Sequence, residues 1–565
     1  MKRTLLITAL AGALLSPPSF AARGDSGHLK IIYWQAASIL NPFLSGGTKD
    51  VHASSLIIEP LARYDEKGAM VPWLATEIPT VANGGVAKDL RSITWKLKKG
   101  IKWSDGSAFT AEDVVFTANY CMNPEGGCQQ LTSFADVSNV EALDAHTVKV
   151  SFTKAKPFPY GPFVGAESPI IQKDQFKDCA GAKAPECTKQ NFGPHGTGPF
   201  RVVEFKANDV ITMEANPNYR DANKPRFGSL TFKGGGDAAS AARAALETGE
   251  FDYAWNLQVE AEVLGQMAKA GKGNLINAFG TAVERLMVNL TNPDSKLGDK
   301  RSTVEGGPHP FLTDAAVRRA LSLAIDRQIL VDAGYGKAGK PTCNVIPAPA
   351  HLVSEANDEC LKPNVALANK VLDEAGWKRG SDGVRAKNGV RLSILYQTST
   401  NSVRQGTQAL IKQMWRAIGV ETELRNISAS VFFGGDQSSP DTFQKFYADI
   451  EMYTNTFTGT DPETYLGNWK CERIPAPSNN WLGNNMPRYC NPAYDKLAAQ
   501  LATTAVLEER AALAKKMNDM LMQEGAMIPL IHRGSVAAHV KTLGGVRLNV
   551  WDSQLWNVAD WHRLK

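Results

Sequence analysis

The sequence predicts an α/β protein with more than one domain. The chain has 565 residues, which is enough for two or three domains of ordinary size. Residues 93–117 form a pattern of half-buried strand, Ser-Asp-Gly turn and capped helix. Residues 392–424 form a pattern of strand, helix and strand, which is typical of a βαβ unit. Together these patterns predict a partly parallel sheet covered by helices.

The first of these stretches is the most informative segment of the chain. Ile93, Trp95 and Leu97 alternate with polar residues, as in a strand with one buried face. Thr110 stands where a helix N-cap is expected, and Asp113 stands three residues later, where a capping box requires an acidic or amide side chain. The segment therefore predicts a strand that turns directly into a capped helix.

The same stretch resembles a family signature. From Trp103 to Thr117 the chain reads WSDGSAFTAEDVVFT. It is similar to the W-x-D-G-x-x-F-T-A-x-D-V-x-F-T pattern of the periplasmic solute-binding proteins of the dipeptide, oligopeptide and nickel group, family 5 of the ABC-importer receptors. Further stretches that resemble landmarks of that family occur in the family's order, on both sides of this signature, at residues 60–64, 71–75, 196–200, 216–219, 247–252 and 317–330.

The resemblance implies a two-lobed periplasmic binding protein of type II, similar to cluster C, in which two crossing strands join two α/β lobes. It implies that residues 28–57, 191–309 and 529–565 form lobe one. Residues 58–190 are expected to form an extra subdomain inserted in lobe one, and residues 310–528 are expected to form lobe two.

Periodicity predicts further individual elements. Helix patterns show apolar residues at i, i+3, i+4 and i+7, and strand patterns alternate or form short apolar runs. Predicted strands cover 29–34, 147–152, 200–204, 392–396 and 420–424. Predicted helices cover 49–58, 364–375, 403–418 and 507–522, and another helix, capped by Thr313, buries Val317, Ala320, Leu321, Ala324 and Ile325.

The N-terminus predicts export. Residues 1–21 combine a basic start, a short apolar run and small residues before Ala21, as in a secretory signal peptide cleaved after Ala21. No cysteine stands directly after that point, so we expect a periplasmic protein without a lipid anchor. Removal of Lys2 and Arg3 lowers the net charge from +5 to +3, and this small charge argues against a nucleic-acid partner.

Eight cysteines in an exported chain predict four disulfides. Eight cysteines allow about 105 pairings, so the connectivity stays open at this point. Their spacing nevertheless groups them as sequence neighbours. Metal binding is not expected, because no C-x-x-C pair occurs and the histidines are scattered. The neighbouring cysteines are Cys121 with Cys128, Cys179 with Cys187, Cys343 with Cys360, and Cys471 with Cys490.

No known catalytic motif occurs in the sequence. His532 and Ser535 lie close together, but an isolated histidine beside a strand end is more often structural. A secreted hydrolase is therefore disfavoured. The family resemblance implies instead a monomeric receptor without a cofactor that passes a small solute to an ABC permease in the membrane. A sensory receptor that hands its loaded form to a signalling partner stays an alternative.

The expected binding site is the cleft between the lobes, because closure strips water from the ligand and each polar group then needs a partner. Trp34-Gln35 and Trp255-Asn256 follow predicted strands and are expected to face the cleft. Arg404 and Arg285 are candidate partners for a ligand carboxylate. The strongest candidate segment is 452–469, in which Tyr453, Thr454 and Asn455 offer a polar, aromatic surface.

One position departs from the family pattern. Peptide-binding relatives hold the free amine of the ligand with an Asp four residues before a Pro of this segment. Here that position is Thr458, although Asp461 directly precedes Pro462 and offers an alternative carboxylate. A neutral hydroxyl cannot make a charge-assisted bond to an ammonium group. The hypothesis is a modified peptide, an opine-like conjugate or a glycosidic solute rather than a plain dipeptide.

Overall fold

The structure is a computed structural model that describes residues 22–126 and 128–564. The predicted signal peptide, residues 1–21, lies outside the described residues. Within the described ranges, no helix is both long and apolar enough to cross a lipid bilayer.

The described residues form strands grouped into one large and several small sheets. In chain order they are β1 (His28–Tyr33), β2 (Ala62–Tyr64), β3 (Met70–Pro72), β4 (Ser92–Lys96), β5 (Val137–Asp144), β6 (Thr147–Phe152), β7 (Phe200–Lys206), β8 (Val210–Ala215), β9 (Ser229–Gly234), β10 (Tyr253–Trp255), β11 (Gly273–Val288), β12 (Gly339–Pro341), β13 (Lys378–Arg379), β14 (Arg385–Lys387), β15 (Val390–Arg391), β16 (Ser393–Ser399), β17 (Glu421–Ile427), β18 (Ile450–Asn455), β19 (Met527–Val540), β20 (Leu543–Gly544) and β21 (His562–Arg563).

Helices cover both lobes. In chain order they are α1 (Thr48–Ser54), α2 (Ala111–Cys121), α3 (Lys173–Phe176), α4 (Thr188–Phe192), α5 (Ala238–Leu246), α6 (Ala261–Ala268), α7 (Ala315–Leu323), α8 (Arg327–Gly334), α9 (Val365–Glu374), α10 (Ser402–Ala417), α11 (Ala429–Phe432), α12 (Glu463–Gly467), α13 (Pro492–Leu501) and α14 (Leu507–Gln523).

The large sheet runs through both lobes in the order β17-β16-β18-β11-β19-β10-β1-β9-β8-β7, and β12 also pairs with β19. The long antiparallel strands β11 and β19 connect its two halves. β19 pairs with β10 at Ala538 and His539, whereas β11 pairs with β18 from Val283 to Val288. Between these ends the pairing of β11 with β19 shifts register between Phe279 and Val283. We expect the lobes to pivot at this interruption, because it removes ladder hydrogen bonds that resist bending.

Separate hydrophobic cores stabilise the two halves. One core includes Leu29, Trp95 and Trp561 and joins lobe one to the inserted subdomain. A second core, around Trp415, lies beneath β16 and β18 in lobe two. The first core also includes Leu482 from the predicted lobe two, so the two halves are in contact there. The exact domain boundaries stay a prediction.

The predicted βαβ unit is confirmed. β16 and β17 pair in parallel from Ser393 with Glu421 to Ser399 with Ile427, and α10 connects them. The Asn401 side chain caps α10 by accepting a hydrogen bond from the Arg404 backbone N–H at 3.0 Å.

The signature segment forms the predicted strand, turn and helix in the inserted subdomain. The Asp113 carboxylate accepts hydrogen bonds from the Thr110 and Lys173 backbone N–H groups, at 2.9 and 3.0 Å, and from the Trp103 indole at 3.2 Å. One buried carboxylate thus caps α2 and joins it to the preceding turn, which explains why these residue types occur together.

Two predicted helices differ from the structure. The N-cap of α7 is Asp314 and not the predicted Thr313. The Asp314 carboxylate accepts a hydrogen bond from the Ala316 N–H at 3.0 Å. The predicted continuous apolar face ends at Leu323, because Asp326 caps a new helix, α8. Aspartate competes with the helical backbone for hydrogen bonds and so favours a helix start. The first predicted helix, 49–58, ends already at Ser54.

Four disulfides join the cysteines that are neighbours in sequence: Cys121–Cys128, Cys179–Cys187, Cys343–Cys360 and Cys471–Cys490. The first two lie in the inserted subdomain and the other two in lobe two.

Candidate functional site

A cavity with two connected chambers lies between the lobes. The first chamber has a volume of about 120 Å³ and the second a volume of about 100 Å³. The residues that line both chambers, and so mark the passage between them, are Gly46, Thr48, Asn455, Thr456 and Asn484.

Most of the predicted cleft residues line the first chamber. Three of them lie at the end of β18 in lobe two. The others lie at or directly after the ends of β1 and β10 in lobe one, or belong to α10. Because adjacent strands end at the same edge of the sheet, segments far apart in sequence meet here. The predicted residues in this chamber are Gln35, Trp255, Asn256, Arg404, Tyr453, Thr454 and Asn455.

Aromatic side chains form firm walls of this chamber. The Trp255 ring stacks on Tyr33 with a centroid distance of 4.4 Å and an interplanar angle of 7°. Tyr453 packs edge-on against Phe443 at 5.2 Å, and Phe433 lies 5.8 Å from Phe443. Each of these rings is thus packed against another ring, which restricts its movement.

His52 lies behind the stacked pair as a neutral group. Its Nδ1 is 3.1 Å from the Tyr33 hydroxyl, and its ring meets Trp255 edge-on at 5.7 Å. Burial lowers the pKa of His52 to about 3, and the charge of Arg63 acts in the same direction. The imidazole therefore contributes no charge to the cavity at neutral pH.

A buried charge cluster lies at one end of the first chamber. Arg404 donates to the Glu284 carboxylate at 2.8 Å and to the Ser399 hydroxyl at 2.7 Å. Arg533 donates to the Thr454 hydroxyl at 3.1 Å and to the Asn256 side-chain oxygen. Burial favours a raised pKa for Glu284, but the charges and hydrogen bonds of Arg404, with the charge of Arg533 and a hydrogen bond from Thr454, leave it below its ordinary value.

The two arginines predicted to hold a ligand carboxylate have other partners. Arg404 lines the first chamber, but Glu284 already neutralises its charge. Arg285 does not border either chamber, because it lies behind the wall among the rings of Tyr453, Tyr465 and Trp469, at 5.3 to 5.9 Å. Arg533, which the sequence analysis did not select, also lines the first chamber and has no paired carboxylate within 4 Å among the described residues.

Trp34 also lies outside the two chambers. Its indole N–H donates to the Asn256 carbonyl at 2.8 Å, and its ring packs in the core with Ala241 and Ala245. It borders a separate crevice that includes Asp237 and Asn401. Its contact with Asn256 helps to hold that residue at a positive φ of 55°, which brings the Asn256 side chain to the cavity.

Thr458 and Asp461 both line the second chamber, but the two side chains differ in whether they are free to bind a ligand. Asp461 accepts two hydrogen bonds from Arg510 Nη2, both at 2.7 Å, and a third from Nε at 3.0 Å. Its carboxylate is therefore already paired. The Thr458 side chain lies against Gly165, where a Cβ would come within 2.5 Å of the Thr458 Cγ2. Gly165 also has a φ of +80°, so both space and backbone conformation require glycine.

Glu167, in the second chamber, is another cavity residue that the sequence analysis missed. Burial raises the pKa of Glu167 to about 7, the charge of Asp552 acts in the same direction, and a hydrogen bond from Thr458 opposes them. Asp552 itself is satisfied by Arg63 at 3.2 Å and by three backbone N–H groups. Neither Glu167 nor Arg533 lies in a recognisable motif, so only their three-dimensional placement identifies them.

The cavity holds no arrangement typical of hydrolysis or metal binding. His532 contacts the Gly280 carbonyl at 2.9 Å and the Phe279 ring, and no hydrogen bond with Ser535 occurs in the described part of the chain. Among residues 22–126 and 128–564, no group of three or more His, Cys, Asp or Glu side chains is placed to hold a metal ion.

Comparisons with known proteins agree with this architecture. The model of the family "Bacterial extracellular solute-binding proteins, family 5 Middle" matches residues 69–474. The glutathione-binding protein GsiB of Escherichia coli O157:H7 is 24% identical over 548 residues, which are 96% of this chain and 95% of GsiB.

Solved structures show the same fold. The oligopeptide-binding protein AppA of Bacillus subtilis, in complex with a nonapeptide, superposes with a TM-score of 0.82 at 20% identity, over 96% of this chain and 100% of AppA. AgaA of A. tumefacien R10, in complex with agropinic acid, gives 0.76 at 18% identity, over 95% of this chain and 99% of AgaA. These likenesses confirm the predicted two-lobed α/β fold.

Proposed function

Because the chain belongs to the bacterial extracellular solute-binding proteins of family 5, we propose that it captures a small peptide or peptide-like solute between its lobes. Family membership makes it a solute receptor that works with components of an ABC importer, and not an enzyme. The family is extracellular or periplasmic, and the periplasm is the proposed location of this protein.

The observation that carries this proposal is the pair of connected chambers between the lobes. Both chambers are lined by segments before residue 60 and by residues 455–456, so a solute held there contacts both lobes. Their walls combine aromatic faces with amide and hydroxyl groups, which suit the alternating apolar and amide parts of a peptide. The proposed ligand-binding residues are Gln35, Trp255, Asn256, Arg404, Tyr453, Thr454, Asn455 and Thr458, together with Arg533.

The relatives support a peptide-like cargo. AppA is described with a nonapeptide, and GsiB is named for glutathione, itself a modified tripeptide. In the proposed mechanism an open form admits the solute, the lobes pivot at the interruption between β11 and β19, and the closed form docks on the permease. The solute favours closure because it gains contacts with both lobes only in the closed form.

The test has two steps. Mass spectrometry first identifies any solute that co-purifies with the exported protein. Isothermal titration then measures binding of glutathione and of a tripeptide library to protein freed of that solute. Tight binding of a peptide without its hydrolysis supports the proposal. If no peptide binds, or if the protein turns the bound compound over, the proposal is wrong.

A second candidate is an opine-like or glycosidic solute. The amide side chains of Gln35, Asn256, Asn455 and Asn484 around the first chamber favour it, because amides bond well to hydroxyl groups. AgaA, described in complex with agropinic acid, supports it further. Titration with agropinic acid beside the tripeptides separates the two candidates.

A further inference from the structure

The charges around the cavity balance in pairs, with two exceptions. Arg404 is paired with Glu284 at 2.8 Å, Asp552 with Arg63 at 3.2 Å, and Asp461 with Arg510 at 2.7 Å. His52 is neutral. The two charged side chains that line the described chambers without an ion-pair partner are Arg533 and Glu167.

Arg533 is a buried cation at the end of the first chamber. Its side chain is only slightly exposed, and its described hydrogen bonds go to two neutral oxygens, on Thr454 and Asn256. A guanidinium has five N–H donors and stays charged at every physiological pH. The nearby Glu284 carboxylate is shared with Arg404, so two guanidinium groups face one carboxylate. An anion in the chamber would restore the balance.

Glu167 is an acidic side chain that lines the second chamber. It comes from the loop after Gly165 in the inserted subdomain, and the Thr458 hydroxyl of lobe two approaches it. The neighbouring Asp552 is also acidic, and the nearby Arg63 guanidinium is already paired with Asp552 at 3.2 Å. A cation in the second chamber would be the missing partner.

Resting on the proposed function, we propose that the cavity selects a zwitterionic solute, whose cationic amine is held by Glu167 and whose carboxylate is held by Arg533. The solute runs from one chamber to the other through the passage at Asn455 and Thr456. Thr458 then completes the amine site as a neutral hydrogen-bond partner, and the inserted subdomain supplies the carboxylate. The presence of Glu167 removes the sequence-based reason to expect a blocked amine.

The reason for this selectivity is desolvation. A charged end that enters the closed cavity loses its water, and it binds well only where a group of opposite charge replaces that water. A blocked end, such as an N-acetyl or a carboxamide group, leaves Glu167 or Arg533 unpaired. A charge-assisted hydrogen bond of this kind is worth about tenfold or more in affinity.

The experiment compares four forms of each peptide: free, N-acetylated, C-amidated and blocked at both ends. Glutathione, N-acetylglutathione and the tripeptide library are titrated against the wild type and two variants. We expect the free forms to bind wild type about tenfold or more tightly than either singly blocked form. In Glu167→Gln the free and N-acetylated forms should bind equally, and in Arg533→Gln the free and amidated forms should bind equally.

Matched controls separate this effect from general damage. Glu112→Gln and Arg243→Gln make the same substitutions at exposed pairs with Lys173 and Glu247. Both should keep the wild-type preference for free ends. Arg533→Lys keeps the positive charge and should retain part of the preference for a free carboxylate. It provides the test of Arg533 if Arg533→Gln does not fold.

The outcomes distinguish this inference from its premise. If peptides bind but blocked and free forms bind equally, or if Glu167→Gln keeps the preference for a free amine, the inference is wrong and the proposed function stands. If neither glutathione nor any tripeptide binds in any form, the proposed function fails and the inference fails with it.

Discussion

The Lys156 ammonium of the inserted subdomain lies 2.7 Å from the Glu463 carboxylate of lobe two, and both side chains are largely buried. The Glu463 carboxylate also forms an ion pair with the Arg510 guanidinium at 3.1 Å. This ion pair joins the two lobes at the edge of the second chamber. It therefore belongs to the closed form, because separation of the lobes would break it.

The first prediction concerns this contact. Lys156→Met should destabilise the closed form by about 1–2 kcal/mol. This is less than the cost of leaving a buried charge without any partner, because Glu463 still forms its ion pair with Arg510. That loss corresponds to an affinity about 5–30 times weaker for the tightest-binding tripeptide. Titration and small-angle scattering with and without that peptide measure the effect. The control is Lys96→Met, which removes an exposed ion pair with Glu77 and should change neither the affinity nor the scattering profile. Unchanged affinity in Lys156→Met would show that the pair does not stabilise closure.

The second prediction concerns Glu284. Glu284→Gln leaves Arg404 and Arg533 buried together without a carboxylate, so the free energy of unfolding should fall by about 3–5 kcal/mol. Urea unfolding measures it. Combining Glu284→Gln with Arg404→Met should recover part of the loss, since one of the two unpaired cations is then removed. A double variant less stable than Glu284→Gln alone would contradict this account.

The third prediction concerns a buried acid in the sheet. Glu451 accepts a hydrogen bond from Gln397 at 3.0 Å, while its other oxygen has no partner among the described residues. Burial raises the pKa of Glu451 well above its ordinary value, although Gln397 and Arg488 oppose this. The unfolded chain loses this proton at lower pH than the folded protein does, so Glu451 lowers stability as the pH rises above about 4.5.

Glu451→Gln should therefore be more stable than wild type at pH 8 and about equal to it at pH 4. Chemical denaturation across this range gives the two curves. Curves that stay parallel at every pH would contradict a protonated Glu451 in the folded protein.

The fourth prediction concerns His52 in acid. Its pKa is lowered to about 3, so the unfolded chain takes up the proton first as the pH falls. Wild type should lose stability progressively below about pH 6.5, by up to about 5 kcal/mol at pH 3. His52→Gln keeps an acceptor for the Tyr33 hydroxyl and should show a smaller loss. Thermal unfolding from pH 7 to pH 4 compares them, and identical slopes would exclude His52 as the cause.

The fifth prediction concerns the pH dependence of binding. The groups that face Glu167 are Thr458 and Asp552, and Asp552 is ion-paired with Arg63 at 3.2 Å. Glu167 has a pKa of about 7 in the empty cavity, so a cationic amine must displace its proton at lower pH. Affinity for a free-amine peptide should fall about tenfold per unit below pH 7. In Glu167→Gln it should not vary, and a wild-type affinity independent of pH would contradict the assigned role.

Sequence patterns predicted local features well. The cap of α2 at Thr110 and Asp113, the βαβ unit around α10 and the neighbouring cysteine pairs all depend on residues a few positions apart. The physical cause lies within the segment itself in each case. It is a hydrogen bond between residues close in sequence, an apolar periodicity or a small loop. Such features can be deduced without knowing the rest of the fold.

The charges of the cavity could not be deduced in this way. Arg404 was expected to hold a ligand, but Glu284, which neutralises it, lies 120 positions away in sequence. Glu167 and Thr458 come from different lobes, and only the closed fold brings them together. Whether a charged side chain is free for a ligand depends on such distant partners, and no local pattern contains that information.

The four disulfides have one consequence for how the chain matures. Each bridge joins consecutive cysteines, and the largest separation is 19 residues. During vectorial export, each pair can oxidise shortly after its second cysteine emerges and before the next pair arrives. We therefore expect oxidation to follow the order of synthesis, with a thiol oxidase sufficient and an isomerase dispensable. Since every bridge lies within one lobe or its subdomain, the oxidised protein also keeps its full range of opening.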